Sequence, residues 1–147
     1  MMKITVTKVI VGILAIWLMV VYFFFFAFAI GSDAKVRAML GMVSGLIILW
    51  IVIGGVAMYA FRDRIKELVQ KLPGDWRLKF IVFATILALL EEAVTTGMTN
   101  MAPLFGVGIG QAYITASANY FDVVMFHSVV VFVPMFIACA FLLSKYD

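Results

Sequence analysis

Residues 80–101 read FIVFATILALLEEAVTTGMTNM, and what this run does about its midpoint decides the fold. As a helix rising about 1.5 Å per residue it is long enough to cross a hydrocarbon layer ~30 Å thick. Yet Glu91 and Glu92 stand side by side at its centre. Insertion scales charge Asp, Lys or Arg about 2.5–3.5 kcal/mol each at a helix centre, so two glutamates of similar cost add roughly 5–7 kcal/mol. The strongly apolar members, Phe80, Ile81, Val82, Phe83, Ile86, Leu87, Leu89, Leu90 and Val94, return only about 3–5 kcal/mol on the same scale. An isolated helix of this sequence is marginal in a bilayer. It needs neighbouring helices, a protonated carboxyl, or water beside it.

The rest of the chain supplies neighbours. Of its 147 residues 66% are hydrophobic and 13% charged, with a mean hydropathy of +1.17. Soluble domains carry about 25% charged residues, so a soluble globular fold is excluded and an all-α, polytopic integral membrane protein is expected. Three further apolar runs, Val9–Ile30, Ala38–Phe61 and Phe121–Leu143, bring the total to four transmembrane helices in a single membrane domain covering residues 1–147. In a bilayer each must close its own backbone hydrogen bonds.

Basic residues are divided unevenly among the connections. Lys3, Lys8, Arg62, Arg64, Lys66, Lys71, Arg77, Lys79 and Lys145 fall on one side, and only Lys35 and Arg37 on the other. The positive-inside rule then places both termini in the cytoplasm of a multi-pass protein of the cell membrane. The net charge of +3 is small and concentrated in one loop, which excludes nucleic acid as a partner and leaves the lipid bilayer. Within that loop Phe61, Ile65, Leu68, Val69 and Leu72 follow a helical period. A short cytoplasmic amphipathic helix is expected there, stopped by Pro73-Gly74, with Asp75 capping the next helix. Ala27 and Ala29 resemble a signal-peptide cleavage pattern, but the apolar run before them exceeds the usual signal core, so a retained anchor is expected. In the second span Gly41 and Gly45 form a GxxxG that lets two helix backbones approach closely.

Adjacent helical residues point 100° apart, so the two glutamates face different surroundings. Thr85, Glu92, Thr96 and Thr99 fall within about 60° on a helical wheel, a polar stripe with Glu92 facing a cavity or another helix. Glu91 shares its face with Leu87, Ala88, Val94, Thr95 and Met98 and is expected to be protonated or engaged elsewhere. Burial in low dielectric disfavours a charged carboxyl, so such a pair invites a proton or a cation. In the fourth span Asp122 sits near the outer boundary as a solvated or capping carboxylate. The single histidine, His127, lies deeper, at a level where it can meet Glu92 across helices. Pro134 lacks an N–H and crowds the carbonyl of Val130, which predicts a kink. The connection APLFGVGIGQAYITASAN, residues 102–119, is uncharged and glycine-rich. It reads as a flexible outer loop, with a folded-back lid as the alternative.

No motif names a reaction or a cofactor. One histidine with one or two glutamates makes at most a partial metal site, and the lone Cys139 forms neither an internal disulfide nor a zinc pattern. Functionally, Glu92 with His127, Thr96 and Thr99 points to an ion- or proton-coupled transport or channel component. A non-catalytic assembly subunit is the alternative, and a membrane enzyme acting on a lipid-like substrate the third reading. Four helices barely enclose a polar pathway, so a homo-oligomer or a larger membrane complex is the expected way to shield the glutamates.

Overall fold

The computed structural model describes residues 6–146, in which every regular element is helical. Lys3, counted above with the basic residues, lies outside them. Helix α1 (Val6–Ile30) turns tightly at Gly31-Ser32 into α2 (Ala34–Leu46), whose N-terminus is capped by Asp33 accepting from the Val36 amide at 2.9 Å. A π-helical stretch, Ile47–Gly54, carries α2 without a break into α3 (Gly55–Lys71). Helix α4 (Trp76–Asn100) returns alongside and ends in a 3₁₀ turn, Ala102–Phe105. After an irregular connection, α5 (Tyr120–Val123), a second π-helical stretch (Val124–Ser128) and α6 (Val129–Tyr146) form one last rod.

The rod Ala34–Lys71 is 38 residues long, roughly 55 Å by helical rise and well beyond the thickness of a hydrocarbon layer. The amphipathic segment expected as a separate helix is therefore the end of the second rod. The reason is local: nothing between Gly55 and Lys71 breaks the helical period, and the first breaker is Pro73. Leu72 leaves the helix with ψ 138°, as the residue before a proline prefers. Gly74 takes φ 112°, a value that favours glycine. Asp75 then caps α4 from its side chain to the Arg77 amide, as anticipated.

Three rods are long and apolar enough to cross a membrane: Lys8–Ile30, Ala34–Lys71 and Tyr120–Lys145. Helix α4, which carries the two glutamates, is not among them. Helix α6 continues through Pro134, and the change of helical register in that rod lies earlier, at Val124–Ser128.

Packing is concentrated at the end of the bundle that carries the 102–119 connection. Ala38 and Met42 of α2, Met98 of α4, Ala102, Val107 and Ala112 form one buried cluster, with Phe105 and Ile114 packed against it. The connection is thus folded onto the helices, in place of the flexible loop expected from its glycines, because its apolar residues close the core. The GxxxG face finds its partners here: a methyl group on Gly41 would run into the Phe105 ring, and one on Gly45 into the end of the Met98 side chain. Among its described residues helix α1 buries only Ala29, and it is tied to α2 by Tyr22 and Ser44, whose hydroxyls lie 2.9 Å apart. Ser44 donates its one hydrogen to the Leu40 carbonyl at 2.7 Å, so Tyr22 is the donor. Phe23–Phe26 are exposed.

Candidate functional site

Helix α4 lays its polar stripe inward. Glu92, Thr96 and Thr99 are buried and Thr85 is half-buried, as their common face on the helical wheel requires. Opposite them the π-helical stretch of the last rod brings Ser128 into the same interior, 1% exposed. Its hydroxyl lies 2.9 Å from Glu92 Oε1 and 3.3 Å from the Val123 carbonyl. The second contact reaches back five residues, the spacing a π turn brings together.

A serine hydroxyl has one hydrogen and here two acceptors within reach. With Glu92 ionised, Ser128 donates to the carboxylate. With Glu92 protonated, the carboxyl donates to Ser128 and the serine hydrogen turns to the Val123 carbonyl. The same heavy atoms serve both arrangements.

The four threonines of α4 divide sharply. Thr85, Thr95 and Thr99 donate to the carbonyls four residues back, Ile81, Glu91 and Thr95, at 2.7, 2.8 and 3.1 Å. Thr99 also accepts from the Ile114 amide at 3.5 Å. Thr96 makes no such bond: its hydroxyl is buried without any hydrogen-bond partner. One turn above, Asn100 donates to the Thr96 carbonyl at 3.1 Å and to the Ala118 carbonyl at 2.8 Å. The Tyr120 hydroxyl donates to the Leu89 carbonyl at 3.1 Å. Together these bonds fasten the connection and the start of α5 over the site.

That clamp makes a prediction. Each such bond contributes about 1 kcal/mol net, so Asn100→Ala should loosen the connection while the helices persist. Hydrogen exchange should speed up several-fold at the Ile114 amide and its neighbours, with the amides of α6 unchanged. Unaltered protection of the connection would remove Asn100 from this role.

The remaining residues singled out from sequence are not drawn to Glu92. His127 is exposed on the last rod, its ring 6.4 Å from that of Phe132, and Ser128 takes the place beside Glu92 that the histidine was expected to hold. Asp122 is exposed in the first turn of α5, where the cap is the Asn119 side chain accepting from the Phe121 amide at 2.9 Å. Glu91 is half-buried, and among the described residues its carboxyl makes no hydrogen bond or ion pair, while its backbone carbonyl accepts from Thr95. Ser128 itself was missed in the sequence because a serine among valines and phenylalanines carries no signal of its own; its spacing after Tyr120 hides the π turn that points it inward. Among the described residues no group of three or more His, Cys, Asp or Glu is placed to hold a metal ion, and Cys139 is free and half-buried.

The arrangement is thus a single carboxylate between two helices, met by one neutral hydroxyl, with a second unpaired hydroxyl on the same face. No protein-family model, curated protein or solved structure matches this chain.

Proposed function

We propose that the chain is a four-crossing membrane protein with both termini cytoplasmic, and that it serves ion- or proton-coupled transport with Glu92 as the exchanging group. The observation that carries this reading is the company Glu92 keeps. It is 7% exposed, and its recorded partner is the neutral Ser128 hydroxyl. The ion pairs among the described residues, Arg62 with Asp63 and Arg77 with Asp75, lie outside the bundle interior. A carboxylate buried in low dielectric without a fixed counter-charge is costly, so Glu92 carries a proton or a mobile cation. Intramembrane carboxylates of this kind characteristically mark ion and proton pathways.

The packing of α4 supports its crossing as well. Met98 meets α2 and Glu92 meets the last rod, which supplies the neighbours that an isolated helix of this sequence lacks. The basic residues at Arg62–Lys79 then sit with the termini on the cytoplasmic side. Helices α1 and α3 bury almost nothing, which leaves surfaces for lipid, further copies of the chain or other subunits of a membrane complex.

One observation favours a second reading. The Glu92–Ser128 bond joins α4 to the last rod, so it also serves as a fastening between helices, the role expected of an assembly subunit. Reconstitution separates the two. Transport predicts that proteoliposomes carrying Glu92→Gln lose pH-gradient-driven flux to background while insertion and complex recovery match the native chain. Absence of flux in both forms, with poorer recovery of the variant from detergent, would establish the fastening role instead.

A further inference from the structure

We infer that Glu92, Thr96 and Ser128 together form a binding site for one monovalent cation, with sodium as the fitting probe; this deepens the transport reading, on which it rests for its purpose but not for its test.

The inference starts from Thr96. A threonine inside a helix ordinarily satisfies its hydroxyl on the carbonyl four residues back, and Thr85, Thr95 and Thr99 all do so. Thr96 is 3% exposed and is the one whose hydroxyl has no partner. An unmade hydrogen bond on a buried hydroxyl is unfavourable, so a ligand that meets the free oxygen would relieve that cost. Thr96 lies four residues after Glu92, hence one turn along and on the same face. Glu92 offers a second oxygen, Oε2, which has no hydrogen-bond partner among the described residues, while Oε1 meets Ser128.

The donor chemistry selects the occupant. All the groups are oxygens, which suits a hard cation and disfavours zinc or copper. One buried carboxylate supplies one negative charge, which a monovalent ion neutralises and a divalent ion exceeds. A water molecule would satisfy the Thr96 hydroxyl but leave the carboxylate charge uncompensated. Ser128 accommodates a cation readily, because its hydrogen can turn to the Val123 carbonyl and free an oxygen lone pair.

The test is thermal unfolding of the purified chain in detergent, in sodium chloride or choline chloride at equal ionic strength. Sodium well above its Kd should raise the midpoint of the native chain by about 5 °C through mass action. Thr96→Val should lose that sodium-specific rise, Thr96→Ser should keep it, and Thr95→Val, whose hydroxyl is already spent on Glu91, should leave it intact. Equal midpoints in the two salts for the native chain, or a rise that survives Thr96→Val, would overturn the site. Should Thr96→Val fail to fold, broadening of the sodium NMR line by the native chain and its loss in Glu92→Gln decide the same question, and no broadening overturns the site. Flux lost in Glu92→Gln without any sodium response removes the cation site and keeps transport; sodium binding without flux does the reverse.

Discussion

Replacing Gly41 by leucine is expected to destabilise the folded bundle strongly, while Gly45→Ala, four residues away on the same face, is expected to leave it nearly unchanged. At Gly41 a side chain would enter the ring of Phe105. That ring belongs to the 3₁₀ turn Ala102–Phe105 and packs against the cluster of Ala38, Met42, Met98 and Val107. Moving it aside disturbs the packing of the connection onto the helices. Overpacking of this kind costs about 1–3 kcal/mol for a small excess, and leucine at Gly41 should exceed about 3 kcal/mol, a large share of a typical 5–15 kcal/mol. At Gly45 the obstacle is the Sδ and Cε end of Met98, a flexible side chain that can swing aside. The helical preference of alanine over glycine, about 1 kcal/mol, offsets most of that shift. Gly41→Ala should fall between the two. Denaturant unfolding in detergent, followed by circular dichroism, ranks the three, and a Gly41→Leu protein as stable as the native chain would show that α2 and the turn carrying Phe105 do not pack as described.

The GxxxG was visible in the sequence, but its partner was not, because small residues announce a close approach without saying to what. The same division runs through the fold. Apolar length placed α1 and the last rod closely, and placed 80–101 against the observed Trp76–Asn100. It misplaced the end of the second rod, expected at Phe61, because the α-helix has no reason to stop at a membrane edge when its period continues to Lys71. Glu92 was legible as the inward carboxylate since a helical wheel needs only spacing. Its partner was not, because an i→i+5 turn at Val124–Ser128 rotates the last rod by an amount that no 3.6-residue wheel contains. Depth along the helix pointed to His127 as the partner; the π turn puts the adjacent Ser128 inside and leaves the histidine on the surface.

Ser128→Ala and Glu92→Met, singly and together, should show a large and informative non-additivity. Ser128→Ala strips the buried carboxyl of its recorded partner, at a cost of about 1–3 kcal/mol, more where the group is charged. Glu92→Met alone strands the Ser128 hydroxyl, which falls back on the Val123 carbonyl at 3.3 Å, so its penalty should be smaller. The double variant replaces a buried polar pair with apolar atoms, a change often neutral or stabilising in a low-dielectric interior. A coupling of about 1–3 kcal/mol is therefore expected, with the double variant as stable as the native chain or more so. Flux in liposomes then gives the cycle its meaning. A double variant that folds, inserts and assembles but moves no ion would mean that Glu92 sits between α4 and the last rod for its chemistry, since the bundle holds without it. A double variant that falls apart as readily as Ser128→Ala would mean that the pair is a fastening, and a buried acid with no other task.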